Sequence, residues 1–251
     1  MPPALEGGAF YDDPAVFATY RAHRRSPTNP NDLVEEPTFL ELLGPVRGLR
    51  VLDLGCGDAA FGRRLLDQGC RSYVGVDASR NMVEAARRTL HGTPGVVRHD
   101  RIEDFSAEAG SLNVVVSRLA LHYVDDLAAI VGHVHRMLVP GGRLVFSIEH
   151  PVITSCDRGW DQSGPRGSWL VDDYFLTGRR ETHWLGARVV KYHRTIEDYV
   201  GLVQRADFRL DSLREARPRP ELFASPTEFQ RRSRIPLFLL VAATAVTDPE
   251  P

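Results

Sequence analysis

Residues 51–62 read VLDLGCGDAAFG, an apolar run that ends in glycines and continues into a helical pattern. Glycines at a strand-to-helix turn let the backbone approach a ligand closely, and the N-terminus of the following helix offers free N–H groups. The spacing Gly55-x-Gly57-x-x-Ala60 also satisfies the fingerprint of dinucleotide-binding sites. This stretch therefore predicts a ligand-binding turn after the first strand, and it leaves the ligand open.

Short apolar runs alternate with helical patterns along the rest of the chain. The expected strands cover residues 50–54, 73–76, 96–98, 113–117, 143–148, 208–213 and 237–246. The expected helices cover residues 61–68, 81–90, 125–138 and 196–205, with a Pro-Gly-Gly sequence at 140–142 ending the third. This alternation indicates an α/β fold with a doubly wound sheet.

Two segments stand outside this alternation. Near the N-terminus, short helices are expected from Asp13-Pro14 and over residues 38–43, and the proline-broken stretch 26–37 is expected to be loop-like. Residues 150–195 contain all three tryptophans and look like an insertion. We expect a helical N-terminal lid (1–45), a core (46–149 and 196–247) and a cap insertion (150–195).

The composition narrows the class of protein. The 251 residues include 31 basic and 33 acidic side chains, with net charge −2, which offers no general attraction to nucleic acid or anionic membrane. The longest apolar stretch, 237–243, is too short to cross a bilayer, and the N-terminus is unlike a secretory signal. Three cysteines without a CxxC spacing favour a reducing compartment. These features predict a cytoplasmic protein with no nucleic-acid or membrane partner, and they leave a homodimer open.

Two carboxylates distinguish between the ligands that such a turn binds. Asp53 lies two residues before Gly55, where it would be unfavourable beside a pyrophosphate but would suit the ammonium group of a methionine moiety. Asp77 ends the second expected strand and is placed to accept hydrogen bonds from ribose hydroxyls. The pair favours S-adenosylmethionine over NAD.

The chain resembles class I S-adenosylmethionine-dependent methyltransferases. VLDLGCGDAAFG is similar to the first motif of that family, and YVGVDASRNMVEAAR at 73–87 to the second. The resemblance continues through RHDRIEDF, VVVSRLALHYVDD and LVPGGRLVFSIEHP. It implies a Rossmann-like seven-stranded sheet with the last strand antiparallel, S-adenosylmethionine as cofactor and S-adenosylhomocysteine as product.

The resemblance also implies which residues hold the cofactor, from the methionine end to the adenine. The expected residues are Tyr20, Arg25, Asp53, Gly55, Cys56, Gly57, Asp77, Ala78, Met82, Arg101, Ile102, Glu103 and Ser117. Arg24 is an alternative to Arg25 for the cofactor carboxylate, and Asp100 is an alternative to Glu103 for the adenine edge. Ala59 stands where the common loop has a third glycine, at little cost if its φ is negative.

Histidines after the fourth and fifth strands are the candidates for acceptor chemistry. His150 faces the expected transfer point and is preferred as general base, whereas His122 is the alternative and more often has a packing role. The insertion supplies the expected acceptor-binding residues, which are Tyr174, Arg179, Trp184 and His193. No metal-ligand spacing is present.

We therefore expect methyl transfer to N, O or C of a small aromatic or heterocyclic metabolite, in secondary metabolism. The looser pattern of the insertion resembles small-molecule methyltransferases of bacterial metabolism. An NAD-dependent oxidoreductase, a nucleic-acid methyltransferase and a binding module without catalysis remain as alternatives.

Overall fold

A computed structural model of the chain describes residues 3–163 and 167–246. The predicted lid and core boundaries at residues 1 and 247 lie outside the described residues. The strands are β1 (Arg50–Leu54), β2 (Ser72–Asp77), β3 (Val96–His99), β4 (Leu112–Arg118), β5 (Leu138–Glu149), β6 (Trp160–Asp161), β7 (Ser168–Trp169), β8 (Gly178–Trp184), β9 (Ala187–His193), β10 (Phe208–Glu215) and β11 (Phe238–Ala245). The helices are α1 (Gly7–Asp12), α2 (Pro14–Arg24), α3 (Glu36–Leu43), α4 (Ala60–Asp67), α5 (Arg80–Thr89), α6 (Leu127–Met137), α7 (Pro151–Thr154), α8 (Ile196–Arg205) and α9 (Pro226–Arg232).

The central sheet has seven strands in the order β10-β11-β5-β4-β1-β2-β3. Strand β1 pairs in parallel with β2 and β4, and the parallel pairing continues to β3 on one side and β5 on the other. Strand β11 is antiparallel to both β5 and β10. Six strands are therefore parallel and the last is antiparallel, which confirms the expected sheet.

The two faces of this sheet carry separate apolar layers. Because side chains alternate along a strand, Leu52 and Val115 pack in one layer, while Val51 and Val114 pack in the other. Both layers are covered by helices, which explains why the central strands read as continuous apolar runs. The polar residues of the site are left at the carboxyl ends of the strands.

Short polar residues begin the helices that flank the site. Asp13 accepts hydrogen bonds from the first backbone N–H groups of α2, and Ser79 accepts one from Met82 N in α5. Thr195 and Asp198 form a capping box at the start of α8. Such caps satisfy N–H groups that have no partner inside the helix.

Two local predictions were wrong. The Pro-Gly-Gly sequence lies inside the long strand β5 rather than in a helix terminus, because Leu138 already pairs with Leu112 of β4. Part of the stretch expected to be loop-like forms a π-helical turn, Asn31–Glu35, that runs directly into α3. Pro30 directly precedes the π-helical turn and Pro37 lies in the first turn of α3, where a missing N–H costs little.

The N-terminal segment and the β8–β9 hairpin meet beside the sheet. Leu5 forms a backbone bridge with Val189 of β9, while Asp12 accepts hydrogen bonds from Ser79 and Asn81 at the start of α5. The N-terminal segment thus contacts the start of α5 and the β8–β9 hairpin at the same time. Within residues 3–163 and 167–246, no helix is long and apolar enough to cross a membrane.

Candidate active site

The glycine turn connects β1 to α4 in a conformation that needs glycine. Gly55 has a φ of 76° and Gly57 a φ of 55°. A Cβ at Gly55 would lie 2.2 Å from the Cβ of Ala120, so no larger residue fits. The backbone of the turn is therefore brought close to the space in front of the sheet.

Ala59, which stands in place of the third glycine of the common loop, does not have the negative φ that would make this replacement inexpensive. Its φ is 55° and its ψ is 24°, in the left-handed region, where a Cβ costs roughly 1–2 kcal/mol. Its side chain is completely buried, which offsets part of that cost. The loop keeps its shape despite this strain.

Asp53 and Asp77 both face this turn. Asp77 accepts hydrogen bonds from Gly57 N and Ser79 N, each at 2.9 Å, and Asp53 accepts one from the Tyr73 hydroxyl at 2.8 Å. Burial raises the pKa of each carboxyl to about 6, although these hydrogen bonds act in the opposite direction. Both carboxylates are mainly ionised at neutral pH and keep lone pairs for a ligand.

A cleft of about 990 Å³ opens in front of the turn. It lies at the carboxyl ends of β1, β2, β4 and β5, where doubly wound sheets bind ligands. Helices α1 and α2 and the β8–β9 hairpin also contribute residues to its walls. The cleft is large enough for a nucleoside cofactor together with a second small molecule.

Comparison with known proteins identifies the family. Residues 52–146 match the model of a methyltransferase domain. The chain is 32% identical to an S-adenosylmethionine-dependent methyltransferase from Mesorhizobium loti of known structure, with a TM-score of 0.77 over 88% of this chain and 99% of that one. The chain belongs to the class I S-adenosylmethionine-dependent methyltransferases.

Other relatives extend this result. A Listeria monocytogenes protein of known crystal structure is 34% identical, with a TM-score of 0.78 over 85% of this chain and 97% of that one. A ubiquinone biosynthesis O-methyltransferase from Xanthomonas oryzae is 34% identical over 124 residues, which are 43% of this chain and 51% of that protein. The chain is therefore an enzyme, and S-adenosylmethionine is its cofactor.

Most of the residues expected to bind the cofactor do line the cleft of this methyltransferase. They are Tyr20, Asp53, Gly55, Cys56, Gly57, Asp77, Ala78, Met82, Arg101, Ile102 and Glu103. Asp100, the alternative for the adenine edge, does not line it and instead accepts a hydrogen bond from Arg101 N at 2.9 Å.

Two expected cofactor residues lie elsewhere. Arg25 is exposed and does not line the cleft, whereas Arg24 does, and its Nη1 atom is buried without a hydrogen-bond partner in the described chain. That orphaned donor fits the carboxylate of the methionine moiety. Ser117 is completely buried and donates to the carbonyl of Leu54 at 2.7 Å, so it ties β4 to β1.

Asp77 provides a direct test of the cofactor site. We expect Asp77→Ala to weaken S-adenosylhomocysteine binding, because each ribose hydrogen bond to a carboxylate contributes about 1.5–3 kcal/mol. Calorimetric titration measures the change, and Asp100→Ala is the matched control with an expected affinity close to wild type. Unchanged affinity of Asp77→Ala would show that the ribose binds elsewhere.

His150 is not placed to act as the base, which corrects the preferred prediction. The side chain is buried outside the cleft, where Nδ1 accepts a hydrogen bond from Val152 N at 3.2 Å. Its Nε2 lies 3.0 Å from a carboxylate oxygen of Glu215 on β10. Both ring nitrogens have structural partners, so His150 caps α7 and connects it to the sheet edge.

Of the two described histidines that line the cleft, His23 and His122, only His122 is buried. It lies in the short 3₁₀ turn Leu121–Tyr123 after β4, is almost fully buried, and has an Nδ1 atom without a hydrogen-bond partner among the described residues. Burial lowers its pKa to about 4, so the imidazole is neutral at physiological pH. A neutral ring with a free nitrogen can accept a proton or hydrogen bond from a ligand.

Three of the four residues expected to bind the acceptor are outside the cleft. Arg179 is exposed and pairs with Glu181. His193 is buried between the Thr154 hydroxyl and the Tyr174 carbonyl, each 2.8 Å away. The tyrosine hydroxyl of Tyr174 accepts a hydrogen bond from Ile196 N, so its role is also structural. Only Trp184 lines the cleft.

Several residues that the sequence analysis did not predict also line the cleft. They include Tyr11, Tyr123, Glu149, Val190 and Tyr192. Tyr11 and Tyr123 approach each other with hydroxyl oxygens 3.2 Å apart. The alternation of side chains along β5 could have indicated Glu149, because neighbouring residues on a strand point to opposite faces and only one of Glu149 and His150 can face the cleft.

Arg118 joins the N-terminal segment to the sheet at the edge of the cleft. Its guanidinium forms an ion pair with the completely buried Glu35, and its Nη1 lies 3.0 Å from Glu36. Its Cζ also lies 4.5 Å from the ring centroid of Phe61. Burial alone would lower the pKa of Arg118, but the two glutamates raise it above its usual value.

Proposed function

We propose that this methyltransferase methylates a small aromatic or heterocyclic acceptor. One observation carries the proposal: the buried His122 lines the same cleft as Tyr11, Tyr123 and Trp184. Aromatic side chains provide flat, apolar contact area for an aromatic ring. The unpaired nitrogen of His122 supplies the polar contact that such a pocket needs for orientation.

The role proposed for His122 is to accept the acceptor's proton. The cofactor supplies a methyl group that is already activated on a sulfonium. As the acceptor oxygen or nitrogen forms its bond to the methyl carbon, the carbon–sulfur bond breaks and the acceptor's proton passes to His122. Burial lowers the pKa of His122, so the ring is neutral and has a nitrogen lone pair for that proton. The aromatic walls exclude water from this exchange.

We also propose that the chain is divided into three parts. We assign residues 1–45 to a lid and residues 150–195 to a cap, around a core of 46–149 and 196–247. Contacts of Leu5 with Val189, and of Asp12 with Ser79, support this division.

The curated relative supports an oxygen acceptor, although its match covers under half of this chain. It is a ubiquinone biosynthesis O-methyltransferase. A malonyl-[acyl-carrier protein] O-methyltransferase from Enterobacter lignolyticus also matches, at 37% identity over 101 residues. Because each match covers under half of this chain, the acceptor is inferred from the cleft residues Tyr11, Tyr123 and Trp184.

The experiment is an acceptor screen with purified protein and S-adenosylmethionine. Phenols, catechols and N–H heterocycles are incubated separately, and mass spectrometry detects the methylated product and S-adenosylhomocysteine. We expect product from members of this set and none from DNA or RNA oligonucleotides. Methylation of an oligonucleotide, without any small aromatic product, would reject the proposal.

A further inference from the structure

Lys191 is the only lysine among the 31 basic residues of the chain, and its side chain is buried. It lies next to the cleft-lining residues Glu149, Trp184 and Tyr123, which we call the acceptor wall. Lys191 Nζ donates to both carboxylate oxygens of Glu149, at 2.7 and 2.8 Å. The same Nζ lies 5.5 Å from the ring centroid of Trp184 and 5.9 Å from that of Tyr123. A compact ammonium fits this position, whereas a planar guanidinium would need more room and more partners.

Glu149, not Lys191, is the member of this pair that lines the cleft. Its burial would raise the pKa of the carboxyl, but Lys191, together with the nearby His122, outweighs that effect and holds the pKa below its usual value. The carboxylate is therefore ionised, oriented by its partner and turned toward the acceptor. Ionised carboxylates only accept hydrogen bonds.

Among the described residues, the arginines that line the cleft are paired, and their one orphaned donor, Arg24 Nη1, is assigned above to the carboxylate of the cofactor. Each of these arginines forms an ion pair with a carboxylate: Arg24 with Asp32, Arg64 with Glu36, Arg101 with Glu103, Arg118 with Glu35 and Arg232 with Glu228. An acceptor carboxylate placed near Glu149 would meet a like charge in a poorly solvated site. An O–H or N–H group placed there would gain a charge-assisted hydrogen bond.

We propose that Glu149, positioned by Lys191, selects acceptors that present an uncharged O–H or N–H donor and rejects acceptors with a carboxylate at that place. This inference rests on the proposed function, since it assigns the acceptor to the same wall as His122. Glu149 is the specificity-determining residue, and Lys191 is a positioning residue that acts through it.

The test measures binding to protein saturated with S-adenosylhomocysteine. Three probes of similar size are titrated by ligand-observed NMR: phenol, which has a donor, anisole, which has none, and benzoate, which is an anion. We expect phenol to bind at least about tenfold more tightly than either of the others, the effect of one hydrogen bond to a charged group. Equal binding of the three probes, or binding of none, would overturn the proposal.

Two variants separate selection from general damage. Glu149→Gln keeps the size of the side chain but removes its charge, so phenol should lose most of its advantage and benzoate should gain affinity. The matched control is Glu181→Gln, since Glu181 is paired with Arg188 on the β8–β9 hairpin and does not line the cleft. It should leave all three affinities unchanged. An unchanged affinity for S-adenosylhomocysteine verifies that each variant is folded.

Lys191→Met tests the positioning role. Without the ammonium, burial should raise the pKa of Glu149, because His122 is then the remaining group that lowers it. Phenol binding should therefore be lost on acidification at a higher pH than in wild type. A purely structural role would not move this pH dependence, and an unmoved profile would refute the role of Lys191.

The binding test and the acceptor screen fail independently. If a small aromatic acceptor is methylated but the probe preference is absent, only the selection by Glu149 is wrong. If the probe preference holds and no small aromatic acceptor is methylated, the proposed function is wrong.

Discussion

Arg118→Ala should lower the free energy of unfolding by about 3–5 kcal/mol, the range for breaking a buried ion pair by removing one partner. The variant leaves the completely buried Glu35 without its cation, although the Ser147 hydroxyl still donates to Glu35 Oε1 at 2.6 Å. It also removes the packing of the guanidinium on Phe61. Urea denaturation followed by circular dichroism measures the change.

An exposed ion pair provides the control for Arg118. Arg63 pairs with Asp67 at 3.1 Å, with side chains 45% and 63% exposed, and such pairs contribute about 0–1 kcal/mol. Arg63→Ala should therefore have little effect. Adding Glu35→Gln to the Arg118→Ala variant should recover part of the lost stability, because it removes the unpaired charge. Equal losses for Arg118→Ala and Arg63→Ala would contradict the importance of the buried pair.

His122→Ala should lower turnover by about 10²–10⁴-fold for an O–H or N–H acceptor, the usual contribution of a general base. The affinity for S-adenosylhomocysteine should stay close to wild type, because the expected contacts of His122 are with the acceptor. Steady-state kinetics on an acceptor found by the screen, with calorimetry for the cofactor product, checks both expectations.

The pH profile adds a second measurement for His122. Burial lowers its pKa to about 4, so the neutral, proton-accepting form predominates above that pH and is lost only below it. Loss of activity from His122 protonation should therefore begin well below pH 6. A half-maximal rate near pH 6.5 that disappears in His122→Ala would show that the imidazole is solvated during turnover.

His150→Ala is the control for His122. Its ring connects Val152 N to Glu215, and leaving such groups unpaired costs about 1–3 kcal/mol. We expect lower thermal stability with nearly normal turnover of the folded fraction. Loss of turnover in a stable His150→Ala protein, together with an active His122→Ala protein, would show that His150, directly after β5, is the base.

The cofactor half of the cleft was predictable because its signals are local. The glycine turn is encoded within residues 51–62, and Asp53 and Asp77 stand at the ends of adjacent parallel strands. Parallel strands bring their carboxyl ends to one edge of the sheet, so Asp77 is brought within 2.9 Å of Gly57 N across twenty residues of chain. The same locality explains why most helices and strands matched their predicted positions.

The residues in the acceptor half of the cleft were mostly not predictable, because packing decides which of two neighbouring side chains faces the cleft. At the end of β5, Glu149 turns toward the cleft and His150 away from it, since neighbouring side chains on a strand point to opposite faces. At the end of α2, Arg24 lines the cleft and Arg25 does not, because neighbours on a helix point about 100° apart. In the insertion, only one of the four expected residues lines the cleft.

By itself, the sequence determined the alternating α/β order, the glycine turn and the carboxylates that suit S-adenosylmethionine. Hydrophobic periodicity, helix caps and glycine conformations act over a few residues, and a single chain records them directly. Only the tertiary structure decided which polar groups share a wall. Glu35 and Arg118 are 83 residues apart in the sequence, and Glu149 and Lys191 are 42 apart. Such pairs arise from strand register and from the packing of the N-terminal segment on the sheet, which no local pattern encodes.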